Sequence, residues 1–408
     1  MNPAKKIRIG LIEEAKQPAD KRVPLTPSQA KILMQTYDNV EVVAERSSSR
    51  AFVDEDYEAE GIKLVKTAEL KDCDLLMGVK EVPIDKLLDG KDYMFFSHTI
   101  KKQPYNKKLF QAILEKKVRL IDYETMVDEK GTRLIGFGRF AGLVGAYNGL
   151  LTWGKRYGEY ELPRAKEIDD LKQVMREARS VPYPPIKILV TGEGRVGKGA
   201  VEMLKAAGIR QVDIAHYLHT EPEDDAFFAV IDVEEYNKRK DGEDFDKTHF
   251  FANPTMYESN FSRFAKNTDL LIASAYWDPK APVLFTKEQI QQKHFRIKVI
   301  ADITCDIEGS IPSTLRACTL AEPFYDYDPK SGQEKAAFSS EKNITVMAID
   351  TLPGELPKNA SESFGDVLMR GILPYYIENP LHNVIERAAI TNRKGGIMKR
   401  FEYLGEWD

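Results

Sequence analysis

The stretch Lys187–Gly208, KILVTGEGRVGKGAVEMLKAAG, restricts the fold more than any other part of the chain. An apolar run, Ile186–Val190, ends in closely spaced glycines, and a helix-forming segment, Val196–Ala207, follows. Gly192, Gly194 and Gly197 spell G-x-G-x-x-G, while Gly192 to Lys198 also spell G-x-x-x-x-G-K. A triphosphate loop needs Ser or Thr after that lysine to ligate magnesium, and residue 199 is glycine. The dinucleotide reading has the context it requires. The first glycine permits a tight turn, the second admits a pyrophosphate to the backbone, and the third lets helix and strand pack closely. The helix N-terminus then offers unpaired N–H groups to phosphate. The plainer alternative is a strand–turn–helix whose glycines serve packing only.

Around this turn the chain alternates strand-like and helical runs. KIRIGLI, VEVVAE, DLLMGV, YMFFSH and VRLIDYE read as strands, and TPSQAKILMQTY and NKKLFQAILEKK as helices. Such alternation predicts parallel sheets. Asp128–Gly131 reads as a hairpin turn. Ala141–Tyr157 reads as a long helix whose Gly142, Gly145, Ala146 and Gly149 allow close packing. SVPYPP is a stiff linker, after which VDIAHYL, LLIASAYW and KVIADIT read as further buried strands. The acidic stretch between His219 and Asn267 has a poor period and reads as an insertion covering the second domain. A final helix, capped near Asn359 or Ser361, returns the chain to the first domain. The expected fold is α/β, with two Rossmann-like domains built on parallel sheets. A discontinuous N-terminal catalytic domain (1–145 and 355–408) is interrupted by a dinucleotide-binding domain (146–354) with an insertion around 220–266.

Composition excludes other classes. A length of 408 residues, 42% hydrophobic and 30% charged, describes a folded two-domain protein. The net charge of −5 argues against nucleic acid as partner. Cys73, Cys305 and Cys318 lie far apart, which fits neither a metal site nor a disulfide framework. The N-terminus meets acids before any long apolar run and is not a signal peptide, and Phe140–Leu151 is too short to span a bilayer. The expectation is a cytoplasmic protein with no metal and no membrane partner. Nothing in the sequence sets its oligomeric state.

In open α/β sheets, charged groups at the carboxyl ends of strands fall where ligands bind. Lys80 and Glu81 end one apolar run, and His98 ends another with Lys101 three residues on. A half-buried lysine among cations can lose its proton near neutrality, and a histidine can carry a second proton. Spacing alone leaves open a solvated Lys80 and a merely capping His98. Arg22, Arg133 and Arg139 have forks suited to carboxylates, or lie on the surface. QVDIAHYLH, read as the second strand, disappoints. An NAD site places an acid at the end of that strand, about 20 residues past the glycines. Here stand His216, Tyr217, Leu218 and His219, with Glu221 only later. A missing acid leaves room for the phosphate of NADP, with the histidines or Arg195 as contacts.

KRVPLTP, GVKEVP, FFSHTIKKQ, RLIDYETMVDEKGTRLIGFGRFAG, VTGEGRVGKGA, ADITCDIEGSI and AIDTLPGELPKNASESFGD span nearly the whole chain. Together they resemble the alanine dehydrogenase and saccharopine dehydrogenase superfamily, nearest to its lysine-ketoglutarate reductase (lysine-forming saccharopine dehydrogenase) branch. The resemblance implies that the amine of L-lysine and the ketone of 2-oxoglutarate condense to an imine, which a nicotinamide hydride from NAD or NADP reduces to saccharopine. It implies Lys80 and His98 as the proton-transfer pair. Arg22, Lys101 and Arg133 then hold carboxylates, and Glu81 and Glu124 receive the lysine ammonium. Gly192, Gly194, Arg195, Gly197, Asp302 and Asp350 contact the cofactor. The chain ends soon after these motifs, so no fused glutamate-forming domain is expected. An alanine dehydrogenase-like deaminase and a non-catalytic dinucleotide-binding regulator are the alternatives.

Overall fold

The computed structural model describes residues 6–16 and 20–407. They divide into two compact units, Met1–Phe137 with Pro357–Asp408, and Gly138–Leu356.

The first unit is built on β1 (Ile7–Leu11), β2 (Val40–Glu45), β3 (Lys63–Val65), β4 (Leu75–Met77), β5 (Asp92–Phe95) and β6 (Arg119–Asp122). Their spatial order is β3-β2-β1-β4-β5-β6, and every pairing is parallel. The central strands are buried along nearly their whole length, so they read as apolar runs rather than alternations. Between β1 and β2 the helix Pro27–Thr36 starts from a capping box. The Thr26 hydroxyl accepts from the Gln29 N–H while the Gln29 side chain answers the Thr26 N–H.

Residues after 356 complete this unit. The helix Pro357–Gly371 buries Phe364 and Leu368 in the core that β1 and β4 share. It begins at Pro357, earlier than the cap expected near Asn359 or Ser361, because proline is accommodated in a first turn. Ser361 lies inside the helix, where its hydroxyl donates to the Pro357 carbonyl (2.7 Å) and accepts the Val23 N–H (2.8 Å). At the opposite end of the sheet Asp92 is fully buried and takes Arg119 (3.2 Å), Arg393 (2.6 Å) and the Tyr376 hydroxyl (2.9 Å). Two of those three partners come from the returning segment.

The second unit holds β7 (Lys187–Thr191), β8 (Arg210–Gln211), β9 (Phe227–Ile231), β10 (Asn237–Arg239), β11 (Tyr257–Ser259), β12 (Leu270–Ala273), β13 (Val299–Asp302), β14 (Tyr325–Asp328), β15 (Gln333–Lys335) and β16 (Ile344–Met347). Eight form one sheet in the order β15-β14-β16-β13-β12-β7-β9-β8, and β10 and β11 form a separate antiparallel hairpin. From β8 to β16 the sheet is parallel, and β14 and β15 add an antiparallel edge. The helix Gly138–Tyr157 crosses the helix Arg195–Ala206 so closely that a Cβ on Gly142 would fall 1.9 Å from the Val196 carbonyl oxygen.

Two sequence expectations fail here. VDIAHYL is not a strand. Asp213 caps it by accepting the His216 N–H (2.7 Å), and Ile214–His219 is helical. The strand beside β7 is β9, which lies inside the stretch read as an insertion. Its five apolar residues form a core strand, and the appended region is the β10–β11 hairpin with its intervening helix, Lys247–Ala252. Among the described residues no helix is long and apolar enough to cross a membrane.

Replacing Asp92 by alanine removes the buried acid shared by Arg119, Arg393 and the Tyr376 hydroxyl, leaving Arg119 only Glu386 and the Pro380 carbonyl. The expected cost is about 3 kcal/mol or more of unfolding free energy, read by urea titration. A loss under about 0.5 kcal/mol, the scale of a surface change, would show that the returning segment is held by other contacts.

Candidate active site

At the carboxyl ends of β1, β4, β5 and β6 the first unit gathers its charged side chains. Glu14 follows β1 and is buried, and its carboxyl accepts the backbone N–H groups of Val79 and Lys80, the latter at 2.9 Å. Burial pushes this carboxyl up to about 8, with Asp20 adding to the rise and the backbone bonds and Arg22 opposing it. Asp122, at the end of β6, has the same role for the neighbouring strand ends. It accepts from the Ser97 N–H (3.0 Å), the Ser97 hydroxyl and the Glu124 N–H (2.7 Å), and burial raises it to about 6.

These ties fix the segments that carry Lys80, His98 and Glu124. Met77 of β4 pairs with Met94 of β5, so Lys80 and Ser97 are level, and the Phe96 N–H bonds to the Val79 carbonyl (3.0 Å). Lys80 is half-buried. Burial and the Arg22 charge lower its pKa against the pull of Asp20 and Glu81. Arg22 is itself buried, gripped bidentately by Asp20 (2.9 and 2.5 Å) and laid over the Phe137 ring at 4.2 Å. Glu81 accepts Lys16 Nζ on one oxygen (2.8 Å), and no group among the described residues bonds its buried other oxygen.

His98 adopts φ +52°, a left-handed conformation that β-carbon-bearing residues take at a cost and that clusters at functional positions. Its carbonyl accepts from the Asn106 side chain (3.2 Å), its ring stacks on Phe96, and its Nδ1 lies 3.5 Å from Glu124 Oε2. Burial draws the Glu124 carboxyl up, but the His98 contact and the charges of Arg133 and Lys101 prevail and hold it below the usual range. Arg133 reaches over the Phe96 ring at 5.5 Å. The hydroxyl of Tyr105 senses both Glu81 and Glu124. Arg22, Lys80, Glu81, His98, Lys101, Glu124 and Arg133 therefore stand at one mouth of one sheet. Sequence reading missed Glu14, Lys16 and Asp20, which lie in an irregular segment without period, and Asp122, hidden inside an apolar strand.

In the second unit the glycine turn joins β7 to the helix Arg195–Ala206. Gly192 has φ +90°, donates its N–H to the Ile231 carbonyl (2.7 Å), and leaves no room for a Cβ, which would lie 2.8 Å from the Ala275 Cα. A Cβ on Gly197 would meet the Gly192 oxygen at 1.8 Å, whereas Gly194 faces open space. Gly194 is also the helix N-cap and brings no side-chain cap, so the first N–H groups remain available to an anion. This is the steric pattern a pyrophosphate cradle needs.

The acid that seemed absent is Asp232. It follows β9 directly, next to the carbonyl that bonds Gly192. The misread strand hid it, although a charge ending the apolar run FFAVI is the same signal that picked out Lys80 and His98. The carboxylate pairs with Lys247 Nζ from the appended segment. Beside it a cavity of about 180 Å³ is lined by Thr191, Val233, Tyr236, Phe250, Phe251 and Trp277. His216 and His219 sit on the short helix that replaced the expected strand. Of the other expected cofactor contacts, Asp350 is exposed beyond β16. Asp302 is buried and spends its carboxylate on Thr304 (3.0 and 2.7 Å) and Thr314 (2.7 Å), shaping the loop after β13.

A parallel sheet with a charged mouth and a second with a glycine cradle and acid define a two-unit, dinucleotide-binding α/β protein. Residues 10–144 match the model of the alanine dehydrogenase/PNT N-terminal domain and residues 174–398 that of its C-terminal domain, so the chain belongs to the alanine dehydrogenase/PNT family. An α-aminoadipic semialdehyde synthase of Arabidopsis thaliana is 28% identical over 97% of this chain and 41% of its own length. The mouse mitochondrial protein of that name is also 28% identical, matched over 46% of its length. This chain thus spans less than half of those relatives. A lysine-forming, NAD(+) saccharopine dehydrogenase of Emericella nidulans is 28% identical over 90% of this chain and 91% of its own. Among solved structures, an L-alanine dehydrogenase superposes with TM-score 0.67 at 15% identity, covering 98% of this chain and 99% of its own, which speaks for the fold.

The buried Glu14 carboxyl has a pH consequence. Its value in the fold, about 8, lies above the ordinary 4.5, so the proton it retains stabilises the fold fully at low pH, and that contribution is lost as pH rises from 4.5 to 8. Glu14→Gln cannot ionise. Urea titrations across that range should show wild-type stability falling relative to the variant, and a constant difference would count against a buried, protonated Glu14.

Proposed function

We propose that this chain is an NAD(P)-dependent oxidoreductase of the CH–NH class that interconverts L-lysine plus 2-oxoglutarate with saccharopine. The observation that carries the reading is Lys80, half-buried beside the Arg22–Asp20 pair and Glu81 beyond β4, while the neighbouring strand β5 leads into His98 with Glu124 beside its ring. A dehydrogenase of imines needs one group that takes a proton and one that returns it. Burial and the Arg22 charge make Lys80 easier to deprotonate, and the imidazole beside Glu124 is placed to be the second. The saccharopine dehydrogenase name of a relative matched over 91% of its own length supports the substrate class.

In this reading Lys80 removes a proton from the incoming side-chain ammonium, whose free amine then attacks the ketone. His98, oriented by Glu124, returns a proton to the carbinolamine hydroxyl, which departs as water. Glu81 faces the ammonium with the carboxylate oxygen that has no donor among the described residues. Lys101 and Arg133 hold carboxylates. Arg22, already forked onto Asp20, acts chiefly by keeping Lys80 deprotonable. Gly192, Gly194, Arg195 and Gly197 would cradle the dinucleotide pyrophosphate, Asp232 its adenosine ribose, and Asp350 would border the nicotinamide. Bound NAD(P)H supplies the hydride. Asp302 serves by fixing its loop rather than by touching the cofactor.

The test follows nicotinamide absorbance with L-lysine plus 2-oxoglutarate, and with pyruvate plus ammonia. Oxidation of the reduced cofactor should require lysine and 2-oxoglutarate together. Lys80→Met and His98→Gln should each lower turnover on the order of 10²-fold or more while still binding the nucleotide. Wild-type turnover in both variants would remove the proton-transfer assignment, and dependence on pyruvate plus ammonia would move the chain to an alanine dehydrogenase-like reaction.

A further inference from the structure

The Asp232–Lys247 pair lies where the adenosine ribose would be read, and half of it comes from outside the dinucleotide-binding core. Asp232 ends a sheet strand, whereas Lys247 opens the helix Lys247–Ala252 of the segment appended between β10 and β11. That segment is a packed unit rather than a loose loop. Phe250 meets Tyr257 at 5.0 Å, and His249 Nδ1 lies 3.0 Å from the Tyr257 hydroxyl, so the base of Lys247 is held in place. The same helix supplies Phe250 and Phe251 to the cavity beside Asp232.

The charges at this corner decide what it accepts. Asp232 suits the two hydroxyls of an unmodified ribose. A 2′-phosphate carries close to two negative charges near neutral pH, and Asp232 would repel it at contact distance. Glu193, exposed between the first two glycines, adds a second negative charge that Lys247 also senses. Lys247 is the cation paired with Asp232, and its side chain is about half exposed (49%) on a flexible four-carbon stem. It can stay on Asp232 when a ribose hydroxyl is present, or turn to a phosphate placed beside it.

Resting on the dinucleotide reading above, we propose that Lys247 is the residue that sets the choice between NADH and NADPH. It offsets the Asp232 charge and offers the 2′-phosphate a partner, so the site tolerates the phosphorylated cofactor. Without it the charges of Asp232, Glu234 and Glu193 stand unopposed by Lys247, and the corner favours NADH.

The experiment titrates the intact protein with NADH and with NADPH and reads nicotinamide fluorescence, with no amino acid or keto acid present. Lys247→Ala should weaken NADPH about tenfold, as expected for the loss of one charge-assisted contact, and leave NADH within about twofold. Lys247→Arg should keep the wild-type ratio, and Asp232→Asn should move the ratio toward NADPH. An unchanged NADPH-to-NADH ratio in Lys247→Ala, or an equal loss of both, overturns the proposal while leaving the dinucleotide reading intact. Failure of the unaltered protein to bind either nucleotide overturns that reading and the proposal together.

Discussion

Where parallel strands end together, their last N–H groups lose the ladder, and buried donors without partners are costly. In the first unit two buried carboxyls meet that requirement. Glu14 takes the N–H groups that follow β4, and Asp122 those that follow β5 and β6. Lys80 and Glu124 stand on segments whose N–H groups these carboxyls hold, and His98 follows Ser97, which Asp122 holds. Burial pushes both acids upward while the N–H groups they accept pull them down, so each carboxyl balances desolvation against its backbone bonds. The acid–base chemistry proposed for Lys80 and His98 therefore rests on buried acids that hold the backbone beside them.

The two units divide recognition by chemistry. The first presents side chains of both signs, close enough to alter one another's proton affinity. The second presents mostly backbone, with its glycine turn shaped by what cannot fit. A Cβ at either Gly192 or Gly197 would collide with main-chain atoms, so that turn tolerates almost no side chain. Beyond the turn, at the end of β9, a core acid, Asp232, meets Lys247 from an appended segment. The tighter the backbone geometry, the less a sequence can vary around a cofactor common to many reactions.

Legibility followed the same division. The glycine turn was readable because its constraint is steric and local. Lys80, Glu81 and His98 were readable as charges that interrupt apolar strands at their ends, whereas Glu124 came only from the family resemblance. Lys16 and Asp20 were not, since nothing periodic connects residues 12–22 to the strands they meet. Asp232 was missed for a different reason. VDIAHYL has the apolar, β-branched start of a strand, and only the Asp213 cap turns it into a helix. Once that segment was given the second-strand place, FFAVI appeared surplus. Asp302 was found as a strand-end acid, but its bonds to Thr304 and Thr314 were not legible, because a sequence cannot say on which side of its backbone a strand-end carboxylate will be satisfied.

The buried Asp92 network carries a consequence for how the chain is made. Arg393 and Tyr376 reach Asp92 from beyond the entire second unit. On the ribosome the first sheet emerges early, yet the helix that covers one face, and Arg393 and Tyr376 that join Arg119 on its buried acid, emerge only after the second unit. The nascent first unit must wait, partly uncovered, while the second folds. Closing so long a gap adds little entropy, since that cost grows only with the logarithm of length. The delay is one of synthesis time, and it makes the half-finished sheet a natural client for chaperones.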